Sequence, residues 1–182
     1  MSTASFQAEL SGLRELITRL ENPTLRKMLT DLPNRKEVHA LISQAIAENF
    51  DKEGPGWTPL KASTILRSVS RKIRREIRQG KRQIEGARKI LQRTGVLKKS
   101  VTTPGAKGHV HRVEGINLMW GTDLVYAAIH QHGGTIQRGD HTITVPARPY
   151  LKLSDFWKLE IETFALNQAL TLIRQYLARA AA

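Results

Sequence analysis

Apolar residues recur at helical spacing along much of this chain. Between residues 6 and 20 they fall at Leu10, Leu13, Leu16, Ile17 and Leu20, which predicts a first helix. Asn22 and Pro23 interrupt it. Asn22 is placed to cap a second, short helix with Pro23 at its first position, ending near Leu32 and Pro33. Asn34 and Glu37 have capping-box spacing at the start of a third helix. There Val38, Leu41, Ile42, Ala45, Ile46 and Phe50 form a stripe broad enough for a buried face. Gly54, Pro55 and Gly56 end it. Trp57, in the loop that follows, is expected to anchor that loop to the body.

Residues 61–93 again read as helix. Ile65, Leu66, Val69, Ile73, Ile77, Ile84, Ala87 and Leu91 make a seam close to heptad spacing and too narrow for a core helix. Either one long helix projects from the body, or a helical hairpin bends at Gly80. Such a seam needs one partner, its own second half or another subunit. Thr94 and Gly95 stop it.

Period-2 and β-branched runs then predict strands over 96–103, 110–113 and 116–120, and a further one over 142–145 in the same small antiparallel sheet. A short helical run is expected over 122–131, with Asp123 in its first turn and Gly133 and Gly134 ending it. Ser154 and Asp155 are placed to cap a last helix, from residue 156 to about 177. Its apolar face is read as Leu159, Leu166, Leu170, Ile173 and Leu177, and the alanine-rich tail is expected to fray. The class is α+β, helices around a small antiparallel sheet. One domain over 1–182 is expected, with an N-terminal helical region (1–33), a projecting basic helical segment (61–94), a sheet and motif region (95–155) and a C-terminal helix (156–182).

Charge changes this picture in one place. Residues 61–99 hold fourteen Lys and Arg against Glu76 and Glu85, so this segment carries +12 of the chain's net +13. Arg71, Lys72, Arg74, Arg75, Arg78, Lys81 and Arg82 would decorate one helix and form a candidate polyanion contact. Arg71 with Arg75, Arg74 with Arg78 and Arg78 with Arg82 would be like-charge pairs at helical spacing, each slightly unfavourable. No aromatic residue interleaves them, which argues against base stacking. A solvated face and docking on an acidic protein surface are the competing readings. The chain has no cysteine, so disulfides and thiolate metal sites are excluded. No apolar run approaches a bilayer span and residues 1–10 do not resemble a signal peptide, so a soluble protein without membrane contact is expected.

Candidate chemistry is sparse. His109 and His111, and His130 and His132, form two His-x-His pairs, with Glu114, Asp123 and Asp140 as conceivable oxygen ligands. Only the pair on a strand would share a face, and no metal motif completes either one. No nucleophile elbow or phosphate-binding loop is present. No catalytic residue, metal or cofactor is expected.

Four ordered motifs carry a resemblance. The first is Gly56, Trp57, Thr58, Pro59 and Leu60. The second runs from Ile90 through Thr94, Gly95 and Leu97 to Ser100 and Val101, and the third is Trp120, Gly121 and Thr122. The fourth comprises Tyr126, His130, Gln131, Gly133 and Gly134, followed by Val145, Pro146, Ala147, Arg148, Pro149, Tyr150 and Leu151. In this order, over about residues 38–155, they resemble the phage virion morphogenesis family of tail-completion or head–tail joining proteins. The resemblance implies a structural virion component at the neck, without catalysis and assembled in the host cytoplasm. It implies a ring of identical copies, six by the family pattern, that contacts the tail tube or tail terminator and the head connector. Genome DNA would pass through the opening. A DNA-binding accessory protein acting through residues 61–99 is the alternative. Within the motifs, Trp57 and Tyr150 are expected to be buried. Residues 145–151 are expected to serve assembly or an internal clamp, with Arg148 pairing to a carboxylate.

Overall fold

The computed structural model describes residues 4–8, 10–52, 54, 56–84 and 89–181. It is α+β, with helices around two small antiparallel sheets. Strand β1 (Ala4–Ala8) precedes helices α1 (Ser11–Arg19) and α2 (Pro23–Thr30), a 3-10 turn (Leu32–Asn34) and α3 (Lys36–Asp51). Two short helices follow, α4 (Ala62–Ser68) and α5 (Arg71–Arg78), then α6 (Val96–Thr102). Strands β2 (His109–Glu114) and β3 (Asn117–Thr122), helix α7 (Ala127–His132), strands β4 (Gly134–Arg138) and β5 (His141–Val145) and helix α8 (Asp155–Ala180) complete the order.

The core forms on α3, which buries Val38, Ile42, Ala45, Ile46 and Phe50, as its stripe predicted. Leu41 packs against that core partly buried. Helix α6 packs on α3 and on strands β2 and β3, His39 of α3 reaches Trp120 of the sheet, and α8 also packs on α3. Asn22 caps α2 as expected, its side-chain oxygen accepting from the backbone N–H groups of Thr24 and Leu25. Ser154 caps α8 in the same way, accepting from Trp157. The Asn34–Glu37 capping box does not form. Leu32 and Pro33 are buried and hold Asn34 in the 3-10 turn, so the extended residue before α3 is Arg35, which supplies no side-chain cap.

Strand β3 lies at the centre of the first sheet, in the order β1-β3-β2, with both pairings antiparallel. Gly115 stands first in the two-residue turn between β2 and β3, at φ +60°, where glycine suits a hairpin turn. The predicted first helix is therefore shorter than its pattern. Residues 4–8 pair with β3, Phe6 opposite Trp120, and only the later leucines turn helical. Residues 96–102 also differ, forming a helix in place of the predicted strand. Gly95 at φ +72° starts α6 and does not end a preceding helix, and Leu97, Ser100 and Val101 are buried. Tertiary packing decides here against β-branched propensity. Trp120 donates Nε1–H to the carbonyl of Val101 at 2.7 Å, and His109 Nδ1 lies 2.9 Å from that of Ser100. Two carbonyls near the C-terminal end of α6 are thus satisfied by sheet side chains.

The basic segment is neither one long helix nor a helical hairpin bent at Gly80. Val69 and Ser70 are extended, and the Ser70 hydroxyl accepts from Ile73 N–H, so it starts a new helix. That helix ends at Gly80 (φ +70°). Gly80 N–H bonds the carbonyl of Ile77 and Lys81 N–H that of Glu76, a Schellman motif. Arg78 and Arg82 therefore do not form a helical pair, and Arg82 lies 3.6 Å from Glu76. Of the seam, only Ile65 is buried, Leu66, Val69, Ile73, Ile77, Ile84 and Leu91 are half-buried, and Ala87 lies outside the described residues.

Helix α8 turns inward a face offset from the predicted one, of which Ile173 still packs against the core and Leu166 is half-buried. Trp157, Ile161, Ala165, Ala169 and Leu172 are buried, against α1, α2, the 3-10 turn and α3. Ala165 and Ala169 let neighbouring backbone approach, as at Gly12, whose N–H donates to Glu162 Oε1 at 2.8 Å. Leu159 (63 % exposed), Leu170 and Leu177 face solvent. The alanine-rich end continues the helix to Ala180.

Trp57 and Tyr150 are buried, as expected, on either side of Phe50, with ring centroids at 6.0 and 5.5 Å. Trp57→Ala is expected to cost roughly 3–5 kcal/mol, the range for truncating a buried aromatic. Denaturant unfolding of the purified variant reads this directly, and an unchanged midpoint would show that the indole carries no such load.

Candidate functional site

The fourth motif closes on itself around the end of α7. Gly133 leaves the helix at φ +74°, and a Cβ there would lie 2.8 Å from the backbone nitrogen of Ala147, so only glycine fits. Beside it, Arg148 N–H donates to the carbonyl of His130 at 2.8 Å. Gln131 Oε1 accepts from two backbone N–H groups, Tyr150 at 3.0 Å and Leu151 at 3.1 Å. The Tyr150 hydroxyl donates to the carbonyl of Ala127 at 3.1 Å, and burial pushes its pKa well above the usual phenol range. Asn49 of α3 donates to the carbonyls of Tyr150 and Lys152. Prolines at 146 and 149 fix φ and remove two donors, so these few bonds satisfy much of the segment.

Arg148 is buried, and it pairs with no carboxylate among the described residues. Its Nη2 donates to the carbonyl of Thr58 at 3.1 Å, tying the first motif to the fourth. The expected carboxylate partner is thus replaced, within the chain, by a backbone carbonyl. Burial lowers the Arg148 pKa. His130 is also lowered, by burial first and then by the nearby Arg148 charge. Of the remaining motif residues, Leu97 and Gly121 are buried and Leu60 packs on the core. Pro59, Thr94 and Tyr126 are exposed.

The loop held by this clamp carries strands β4 and β5. They pair only with each other, Ile136 opposite Ile143, in a second sheet apart from the first. Every residue of the two strands is exposed except Val145, which is half-buried. The predicted strand over 142–145 therefore exists but belongs to a separate hairpin, and its partner over 134–138 was not foreseen. Residues 122–126 are not helical. Thr122 ends β3, and Asp123 donates its N–H to the carbonyl of Gly108 and lies outside α7.

The polyanion candidates sit on α5 and the turn after it. Arg71, Lys72, Arg75, Arg78, Lys81 and Arg82 are exposed and Arg74 is half-buried, its Nε without an acceptor. The structure brings them together on one short helical stretch, apart from the clamp.

His109 and His111 share one face of β2, as alternation requires, and His39 of α3 reaches the same place. The His39–His111 and His109–His111 ring centroids are each 5.3 Å apart beside Trp120. Sequence spacing could not show that His39 joins them. No group of three or more His, Asp or Glu among the described residues is disposed to hold a metal ion. No helix among the described residues is long and apolar enough to cross a membrane.

Comparison with known proteins adds the context. The model of the phage virion morphogenesis family matches residues 4–170. The Mu-like prophage FluMu G protein 2 of Haemophilus influenzae is 27 % identical over 149 residues, covering 81 % of this chain and 84 % of that protein. No solved structure matches the chain.

Two tests follow from the clamp and the histidines. Gln131→Ala leaves two backbone N–H groups without their acceptor and is expected to cost about 2 kcal/mol, read as a shift in the urea midpoint; no shift would mean water replaces the amide. Burial lowers the pKa of His39, His109 and His130 relative to the unfolded chain, with the neighbouring His111 adding to the effect on His39 and His109. Protonation therefore favours the unfolded chain. Stability is expected to be full above about pH 6.5, the ordinary histidine value, and to fall as pH drops below it through the folded values. His39→Gln should flatten that slope in unfolding midpoints taken across the range; an unchanged slope would exclude His39 as a contributor.

Proposed function

The chain belongs to the phage virion morphogenesis family, and from that premise we propose that it completes the phage tail and joins it to the head, as a closed ring at the neck and without catalysis. Its role in phage morphogenesis is carried by the family; the ring rests on one observation, a pair of unpartnered apolar faces. A two-stranded hairpin is marginal on its own in water. Here β4 and β5 expose the cross-strand pair Ile136 and Ile143, 43 % and 44 % accessible. Helix α8 exposes a row at Phe156, Leu159, Leu170 and Leu177, on the side opposite its buried stripe. A sheet face laid on a helix row is the usual way both are buried.

Because the two faces are different surfaces, hairpin on one copy and α8 on the next make a head-to-tail contact. Such contacts repeat and close into a ring when the rotation allows. Six is the copy number the family resemblance implies. One surface of the ring would meet the tail tube or tail terminator and the other the head connector, placing the chain at the virion neck. The exposed cations of α5 supply a contact for an anionic neighbour, genome DNA in the opening or an acidic connector face. An accessory DNA-binding role through the same cations is the second reading, favoured by Arg71, Arg75 and Arg78 standing exposed without an ion pair among the described contacts.

Native mass measurement, with and without purified tails, tests the ring. The wild-type chain is expected to give a closed oligomer. Ile136→Asp with Ile143→Asp should give monomers, as should Leu159→Asp with Leu170→Asp. Mixing the two variants should restore a dimer and nothing larger, because each keeps one intact face. Rings formed by either variant would remove that face from the contact. A wild-type chain that stays monomeric even on tails would overturn the ring itself.

A further inference from the structure

A cleft of about 870 Å³ opens between α4, the segment leading into α6, helix α7 and the hairpin. Arg67, Lys89, Arg93, Arg138 and Arg148 line it, and among the described lining residues none is acidic. Four of these cations are exposed, and Arg148 is not. Only 6 % of it is accessible, its Nε is buried without an acceptor, and its Nη2 donates to a neutral carbonyl, that of Thr58. His130, also lining the cleft, has its Nδ1 buried without a partner. A guanidinium so far from water is stabilised when a carboxylate meets its fork, and none does so among the described residues. Leu91 on the same wall holds φ at +57°, a region a leucine rarely enters, and strain of this kind gathers at binding sites.

We propose that this cleft receives an extended acidic segment of a partner protein, one of its carboxylates meeting Arg148. The rest of the lining fits such a segment. Leu60, Leu91, Leu97 and Tyr126 provide apolar surface for its aliphatic stems and neighbours. A phosphate on duplex DNA belongs to a stiff rod, which lies along exposed cations and does not reach a guanidinium this deep; α5 offers those exposed cations elsewhere. A second copy of this chain is a poor occupant. It carries the same net +13, and its Glu160 and Glu162, which have the spacing of two acids one residue apart, are wound into helix α8 and not on an extended segment. The assignment stands whether or not copies close into a ring.

Fluorescence anisotropy with a labelled, end-blocked Leu-Glu-Val-Glu-Leu peptide at physiological salt tests it, beside the same peptide with glutamine for glutamate and a short DNA duplex. The acidic peptide is expected to bind the wild-type protein about tenfold or more tighter than the glutamine peptide, as paired ions in a partly dry site require. Replacing the exposed rim, Arg67→Gln with Arg93→Gln and Arg138→Gln, should weaken it about tenfold. Replacing three cations outside the cleft, Arg74→Gln with Arg75→Gln and Arg78→Gln, should change it less than about twofold. Arg148→Lys keeps the charge and loses the fork, and should weaken the acidic peptide while leaving the glutamine peptide unchanged. Equal loss on the rim and α5 variants would reduce the effect to net charge and overturn the site. So would absence of acidic-peptide binding, or duplex DNA that displaces the peptide and loses its own affinity on the rim variant.

Discussion

The close approach of Gly133 to Ala147 governs how the rest of this surface is built. At 2.8 Å from a backbone nitrogen there is no room for a Cβ, so the end of α7 and the chain leaving the hairpin lie side by side. Once they do, the carbonyl of His130 meets Arg148 N–H, and Gln131 Oε1 reaches the N–H groups of Tyr150 and Leu151. These bonds fix both ends of the β4–β5 loop. A hairpin with almost no packing of its own is thereby given a rigid base, and its direction is set by the body. The same clamp carries Tyr150 into the core beneath α7 and places Arg148 against Thr58. A side chain added at Gly133 would therefore disturb the hairpin, the core aromatic and the cleft together.

Helix α8 shows how one element serves two neighbours. Its inner face runs from Trp157 and Ile161 through Ala165 and Ala169 to Leu172, and packs on α1, α2 and α3. Its outer face exposes Leu159, Leu170 and Leu177, left uncovered by the described residues. Hydrophobic pattern reports that apolar residues lie on a face; it does not report which of two such faces the fold consumes.

That ambiguity accounts for much of what could and could not be read from the chain. Features set by local chemistry were legible: the Asn22 and Ser154 caps, the buried stripe of α3, and the β2–β3 hairpin around Gly115. Features set by distant contacts were not. Residues 4–8 pair with β3 more than a hundred positions away, and α6 is helical because Trp120 and His109 satisfy its carbonyls. The break at Val69 and Ser70 carried a usable signal, since serine is a strong N-cap, but the heptad-like seam outweighed it. At the candidate site the motif residues were recognised by their order. Their roles were hidden, because Gln131 acts on backbone groups 19 and 20 positions later. The contribution of His39 to the histidine group, and the burial of Arg148 without a carboxylate, likewise needed three dimensions.

The features that make this surface available for partners are the same ones that lower the stability of the free chain. An unpaired hairpin gains little from its own cross-strand contacts. An exposed leucine row gains nothing until it is covered, and a buried guanidinium bonded to a carbonyl keeps part of its desolvation penalty. Each of these deficits would be removed by a contact of the kind proposed, and binding and folding free energy would then be linked. The apolar core on α3, with Phe50 between the rings of Trp57 and Tyr150, is buried within the chain and does not require such contacts. In a ring of the kind proposed, a monomer secure in its core and incomplete at its rim would fold before it assembles, and the uncovered rim would drive the assembly.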